Sequence, residues 1–455
     1  MNRELVLGPL PPGVDAMIPA YLGRQRWYAG SAEPGDDDVS VVTAGELVTT
    51  VAQRRLLWAR VEGEGARYQV LIGERPGGEP ADFLGGHDAE VLGAVGSKYY
   101  YDATLDPELA LALLAVVSDG SESAERVRPV SAEQSNTSLV YDDRIILKLF
   151  RRLLEGANPD VEVTTALSEA GFTRVAAPVA HWRYQGQDLA FAQRFLAGGS
   201  EGWALALTSL RDFYAASSSD PAEVGGDFSA EAARLGRMTA EMHLAMAAAF
   251  GVERRALAEL WWPALLNSVE ERLVRVGAEV GGGLPGAIAP FVGGLRAVGD
   301  PGPAIRVHGD YHLGQVMRTD SGWYVLDFEG EPARALEERV RPSSPLKDVA
   351  GMLRSLQYAS RFVLGERADA EVAALVPRAD AWEWHNRDAF LGGYRQAGGI
   401  DALLPGDTPT WSAVLAAYEV DKALYELDYE RAYRPDWASI PLGAVTRLLA
   451  STGQR

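Results

Sequence analysis

The sequence predicts an α+β protein of two lobes, a β-rich N-terminal part and a larger helical C-terminal part. Three observations predict it. Short, largely apolar runs at 39–43, 55–61, 68–72 and 139–150 have the length of strands and are bounded by turn residues. From Trp203 onward, amphipathic stretches at 204–216, 230–250, 256–276 and 286–298 follow one another with helical period. Between the last of these and the C-terminal helices lies one segment, 307–316 followed by 323–330, in which histidine, aspartate and amide side chains are concentrated.

Composition narrows the chemistry. With 455 residues, 47% of them hydrophobic, the chain has material for two or three packed units. It has no cysteine, which excludes disulfides, thiolate zinc sites and cysteine nucleophiles. The balance of 43 basic against 63 acidic residues, a net charge of −20, argues against nucleic acid or an anionic membrane as partner and suits a neutral or cationic substrate. No apolar run is long enough to span a bilayer, and Met1-Asn2-Arg3-Glu4 lacks the basic-then-apolar pattern of a secretion signal. A cytoplasmic monomer is expected. Only Lys98, Lys148, Lys347 and Lys422 are lysines, so arginine is the default cation of this chain and each lysine reads as a specific choice.

In chain order, residues 1–88 read as a small cap: a helix over 16–26, then three antiparallel strands, closed by the Gly-, Pro- and acid-rich stretch 73–86, which marks a domain edge. Residues 89–196 form an intermediate unit with a helix over 107–117 and a strand, loop, strand pattern. Its loop carries Ser135, Asn136, Thr137 and Ser138, whose hydroxyl, amide and backbone donors could meet phosphate oxygens. Lys148 lies inside the apolar strand 145–150, where a charge is costly unless paired. The strand-like run 189–196 leaves this unit.

Residues 197–455 form the helical lobe. His243 sits among apolar helix neighbours as a satisfied core histidine. The run 281–286 fits a Gly-x-Gly-x-x-Gly pattern but follows a helix and contains Pro285, so it reads as a loop. Pro345 suits the first turn of another helix, with Asp348 as a structural acid near its positive end. Helices at 382–396 and 411–433 close the chain, and the second carries Asp421, Lys422, Tyr425, Glu426 and Asp428.

In the central segment a tight loop begins on Asp310 and ends on Gln315, so both side-chain oxygens can be aimed at one point. Asp327 follows the β-type run 323–326, which delivers a second carboxylate. Phosphoryl transfer needs a carboxylate to accept the nucleophile's proton and oxygen ligands for magnesium, and Asp310, Gln315 and Asp327 make up that set.

The runs His308-Gly309-Asp310-Tyr311-His312-Leu313-Gly314-Gln315 and Asp327-Phe328-Glu329 resemble the paired motifs of the aminoglycoside phosphotransferase branch of the protein-kinase-like fold. Further blocks extend the resemblance over the whole chain to the actinobacterial maltokinases and related glucosamine kinases: Gln25-Arg26-Trp27-Tyr28-Ala29-Gly30, 132–138, 327–334, 344–355 and 418–426.

The resemblance implies a bilobal kinase-like enzyme with an N-terminal cap that uses ATP and Mg2+ to phosphorylate a sugar. Asp310 would be the catalytic base, Gln315 and Asp327 the metal ligands, and Lys148 with Glu162 the nucleotide-phosphate pair. Gln193, Arg194 and Phe195 would supply main-chain contacts to adenine. Asp310, His312, Asp421, Tyr425 and Glu426 would face the substrate. Glucosamine, giving glucosamine 6-phosphate, is preferred over maltose, giving maltose 1-phosphate. Ser31-Ala32-Glu33-Pro34 and Gln357 depart from the maltokinase pattern, and an ammonium suits the acids of the last long helix. The alternative of another class is a nucleotide-binding regulatory pseudokinase.

Overall fold

The computed structural model describes residues 5–452 except 31, 33, 36–37, 48–50, 52, 78–81, 131–135, 332–333, 366 and 368. The chain divides into two compact units, Met1–Thr165 with Ala176–Ala197, and Ala166–Val175 with Gly198–Arg455.

The first unit is built on two sheets. One contains β1 (Leu5–Leu7), β2 (Val39–Leu47), β3 (Arg55–Gly63), β4 (Ala66–Pro76), β5 (Val91–Val95) and β6 (Lys98–Asp102) in the order β1-β2-β3-β4-β6-β5, with α1 (Ile18–Leu22) before β2. After α2 (Pro107–Val117), the strands β7 (Val127–Pro129), β8 (Asn136–Tyr141), β9 (Ile145–Phe150), β11 (Pro178–Tyr184) and β12 (Gln187–Arg194) form the other in the order β11-β12-β9-β8-β7. The short β10 (Arg152–Leu153) crosses over to pair with β4, and α3 (Pro159–Glu169) leaves the unit.

β2, β3, β4, β8, β9, β12 and α2 stand where the apolar runs placed them, whereas β1, β5, β6 and β11 were not expected. Asp106 caps α2 by accepting from the Glu108 and Leu109 amides, with Pro107 in the first turn. Two expectations change. The first helix is only five residues long, ending at Gly23 instead of running to Arg26. The stretch 73–86, expected as a domain edge, begins within β4, which pairs with β6 from Ile72↔Asp102 to Pro76↔Lys98, so the first sheet continues across residue 88. Backbone pairing between runs 30 residues apart overrides the local turn composition.

Buried polar groups join the sheets. Gln69 is fully buried; its amide donates to the Phe150 and Leu189 carbonyls at 2.7 and 2.5 Å and accepts from Trp58 Nε1 at 3.1 Å. Arg151, 1% exposed, meets Asp102 at 2.6 Å and stacks on Trp27, while Tyr21 also donates to Asp102.

The second unit is mainly helical: α4 (Gly202–Ala215), α5 (Ser229–Phe250), α6 (Trp262–Val280), α7 (Leu284–Arg296), α8 (Leu336–Val340), α9 (Leu346–Phe362), α10 (Asp369–Arg395), α11 (Thr408–Tyr433) and α12 (Ser439–Thr452). Its strands are short. β13 (Ser200–Glu201) lines up on the hairpin β16 (Val316–Thr319) and β17 (Gly322–Val325), and β14 (Val252–Glu253) pairs with β15 (Ala304–Ile305). Of the run 281–286 expected as a loop, glycines 281–283 form the turn between α6 and α7, whereas 284–286 are the first turn of α7, with Pro285 at a position where its missing N–H is not needed. No helix among the described residues is long and apolar enough to cross a membrane.

Arg151→Met would leave the Asp102 carboxylate buried without its cation. The expected loss is about 3–5 kcal/mol in the unfolding of the first unit, read by denaturant titration of the Trp27 and Trp58 fluorescence.

Candidate active site

Residues 307–315 join β15 to β16 mostly as irregular backbone, so their N–H groups need partners from outside the segment. Helix α9 supplies them along one stripe. Asp348 in its first turn accepts the His308 amide at 2.7 Å and the Gly309 amide at 2.9 Å. At Gly351 the helix closes directly on the loop: a Cβ there would lie 2.5 Å from the Tyr311 carbonyl oxygen. Ser355 Oγ accepts the Leu313 amide at 3.1 Å. Positions 348, 351 and 355 share one helix face.

Helix α5 braces the other side. Thr239 meets the Tyr311 hydroxyl at 2.8 Å, and buried His243 spans from the Tyr394 hydroxyl at 2.8 Å to Asp348 at 3.2 Å. Burial alone would raise the Asp348 carboxyl, but His243, His308 and the Gly309 amide outweigh it and hold the carboxyl below its usual range. His243 and Asp348 are structural, as their sequence context indicated.

The β16–β17 hairpin explains how residues twelve apart meet. Its register runs from Thr319↔Gly322 at the tip to Val316↔Val325, and the Leu326 amide donates to the Gln315 carbonyl at 2.9 Å. Gln315 and Asp327 therefore emerge together at the open end, where Gln315 Nε2 donates to Asp327 Oδ2 at 3.4 Å. His308 donates from Nε2 to the Leu326 carbonyl at 2.9 Å and packs against Phe328, which ties the loop to this end of the hairpin. Asp327 has a φ of +59°, a left-handed conformation that aspartate tolerates better than most residues and that turns its carboxylate off the strand.

Asp310 projects from the loop into a buried charge cluster. Lys422 of α11 places its ammonium 3.2 Å from Asp310 Oδ1 and 2.6 Å from Glu331 Oε1, and Arg334 holds the other Glu331 oxygen. Burial would raise the Glu331 carboxyl, but the Lys422, Lys347 and Arg334 charges outweigh it and bring it down to about 2. Burial would likewise lower Lys422, and the Asp310, Glu331 and Glu426 carboxylates reverse that, so Lys422 stays protonated. His312 accepts the Gly314 amide on Nδ1 at 3.0 Å, which aims Nε2 towards Asp310 Oδ2, 3.8 Å away. Desolvation lowers its pKa against the pull of Asp310.

The structure thus brings Asp310 and His312 together, and Gln315 and Asp327 together, on one loop and hairpin. Lys422 and Glu331 were not assigned site roles from sequence, although the rarity of lysine pointed at Lys422. Tyr425, one turn after Lys422, presents its ring 5.0 Å from that ammonium. Of the other residues of α11 read as facing the substrate, Asp421 meets Arg272 at 3.0 Å and Glu426 meets Arg354 at 2.6 Å. Asp428 is likewise paired with Arg275 and Arg272.

In the first unit, Lys148 meets Asp160 at 3.0 Å, both being largely buried. Asp160 precedes Glu162 in the first turn of α3, a carboxylate that sequence distance alone did not distinguish. Ser135 lies outside the described residues. Asn136, Thr137 and Ser138 belong to β8, not to a loop, and Ser138 is fully buried. Thr137 accepts from Arg151 at 2.8 Å. Gln193 and Arg194 end β12, and the amides of Arg194 and Phe195 already donate to Ala177 and Arg144, so these two N–H groups are not available to adenine.

Residues 126–390, more than half of the chain, match the phosphotransferase enzyme family. The chain belongs to this family. Residues 21–106 match the maltokinase N-terminal cap domain. A glucosamine kinase of Mycolicibacterium smegmatis is 29% identical over 347 residues, 73% of this chain and 82% of that protein. One from Streptacidiphilus jiangxiensis is 28% identical over 363 residues, 75% and 77% of the two chains. A solved glucosamine kinase in complex with glucosamine, ADP and inorganic phosphate aligns with a TM-score of 0.65 at 22% identity, covering 97% of this chain and 100% of that one. That likeness establishes the kinase-like fold expected from the motifs.

Two outcomes test the site's construction. Gly351→Ala drives a methyl into the Tyr311 carbonyl and shifts the loop that carries Asp310. Turnover should fall by roughly 10²-fold with little change in helical content by circular dichroism. Glu331 has a folded pKa below the unfolded value of 4.5, so it contributes stability above pH 4.5 that is lost as pH falls towards about 2. Glu331→Gln should cost roughly 2 kcal/mol in denaturant unfolding at pH 7, and the gap from the parent should narrow below pH 4.

Proposed function

We propose that the protein is an ATP-dependent glucosamine kinase that forms glucosamine 6-phosphate, acting as a cytoplasmic monomer. The observation that carries the phosphotransfer chemistry is the placement of Asp310 beside Lys422 on the loop whose end and following hairpin bring Gln315 to Asp327. Asp310 accepts the proton of the attacking hydroxyl. It need not be a strong base, because a loose phosphoryl-transfer transition state depends on positioning more than on proton removal. Lys422 keeps Asp310 oriented through Oδ1, and His312 faces the other carboxylate oxygen.

Magnesium fits the donor set. Gln315 and Asp327 offer hard oxygen ligands, and a 180° turn of the Gln315 amide exchanges its nitrogen for oxygen towards Asp327 without moving the backbone. When bound, the ion would neutralise charge on the phosphate oxygens. In the first unit, Lys148, held by Asp160, is the cation for the nucleotide phosphates, with Glu162 in the same helical turn.

The two glucosamine kinase relatives support the choice of sugar. A maltokinase forming maltose 1-phosphate is the second reading, favoured by the match of residues 21–106 to the maltokinase cap domain.

ADP release on glucosamine, N-acetylglucosamine, glucose and maltose at one ATP concentration tests the assignment. Glucosamine should be preferred; preference for maltose, or indifference to loss of the amine, would overturn it. Asp310→Asn should lower kcat by roughly 10²–10⁴-fold with ATP binding largely kept, whereas Asp327→Asn should also weaken magnesium-nucleotide binding.

A further inference from the structure

Away from Asp310, the helical unit holds a cavity of about 860 Å³ between α5, α10 and the tip of the β16–β17 hairpin. Close approach of the two helices shapes it. A Cβ on Gly236 would lie 2.0 Å from the Phe390 carbonyl oxygen, and one on Gly393 2.0 Å from that of Ala233, so the backbones touch and the floor is low. The walls are charged. Arg234, Arg237 and Glu241 follow one face of α5, Asp388 lies on the facing stripe of α10, and Arg174 and Arg318 come from the hairpin side.

These charges fall into two kinds. Arg234 and Arg318 share the one carboxylate of Glu231, at 2.6 and 2.8 Å, which holds both in place. Arg174 is held only by the Ser321 carbonyl at 2.6 Å and the Tyr324 ring. Among the described residues, neither Arg174 nor Arg237 has a carboxylate partner, and neither Glu241 nor Asp388 is in an ion pair. Arg237 and Glu241 stand four residues apart on one helix, a spacing at which opposite charges ordinarily pair, yet they do not. In a chain of net charge −20 with acids in excess, unpaired guanidiniums beside unpaired carboxylates leave complementary places for a ligand that carries both signs. The volume suits a small metabolite.

We propose that this cavity is a second ligand site for a phosphorylated amino sugar. Its phosphate is taken by Arg174 and Arg237, the guanidiniums with no carboxylate partner among the described residues, and its ammonium by Glu241 and Asp388. The site is placed to report on catalysis. Ser321 and Gly322 line the cavity at the closed end of the hairpin, and Gln315 and Asp327 stand at its open end. A ligand that draws on Arg174, which grips the hairpin tip through Ser321, therefore bears on the alignment of those two side chains. The choice of amino sugar rests on the proposed function, since the ligand then has the chemistry of the reaction's own product.

Equilibrium binding of glucosamine 6-phosphate to the full chain, with and without saturating glucosamine, tests the proposal. Binding that glucosamine does not displace is expected, weakened at least tenfold in Arg237→Ala and in Arg174→Ala and insensitive to Asp310→Asn. Arg237 lies on the exposed face of α5, so Arg237→Ala keeps the fold and basal turnover even if Arg174→Ala disturbs the hairpin. Glucose 6-phosphate, which lacks the amine, should bind at least tenfold more weakly, and Glu241→Gln should narrow that difference. Three results would overturn the proposal: displacement of all binding by glucosamine, affinity unchanged in Arg237→Ala, or equal affinity for glucose 6-phosphate. The binding readout needs no turnover, so failure of the glucosamine kinase reading would show separately, as absent ADP release on glucosamine.

Discussion

The Asp348 carboxylate is the contact on which the catalytic loop depends. It accepts two consecutive backbone amides, those of His308 and Gly309, immediately before Asp310, and is itself held by His243. Each of those amides is buried, and an unsatisfied buried donor costs about 1–3 kcal/mol, so the acid fixes the backbone that aims the next residue. Gly351 and Ser355 continue the same stripe of α9 to Tyr311 and Leu313, which makes the helix a template for the loop along its length. A loop held this way needs no regular structure of its own to be precise.

The same economy governs charge. Three of the four lysines meet carboxylates: Lys98 with Glu74, Lys148 with Asp160, and Lys422 with Asp310 and Glu331. Arginine does the structural cross-linking. Arg354 with Glu426 and Arg387 with Glu419 join α9 and α10 to α11 through largely buried planar pairs, for which a guanidinium suits better than an ammonium. Lys422, with the Tyr425 ring beside its ammonium, is where α11 meets Asp310.

The motif residues were legible because their chemistry is local. Asp310, His312, Gln315 and Asp327 lie within one loop and one short hairpin, and the β-type run 323–326 was enough to deliver Asp327 to the end of a strand. Lys148 was legible for a different reason, since an ammonium within an apolar strand demands a partner. That Asp160 answers it was not legible, because Asp160 and Glu162 share one helical turn and nothing local singles out the former. Glu331 and Lys422 were opaque for the same cause: they are 91 residues apart, and no local pattern records that α11 passes beside the loop.

By itself the sequence determined the α+β division, the main strand runs and long helices, the exclusion of cysteine chemistry and the phosphotransfer motif. These follow from period, composition and short-range spacing, which act over a few residues. Tertiary structure alone decided that the first sheet continues through residue 88, that Asn136, Thr137 and Ser138 are strand, that Asp421 and Glu426 meet arginines, and that Lys422 stands over Asp310. Each of those depends on which distant groups share a buried space, where the cost of an unpaired charge or an unmade hydrogen bond selects the partner.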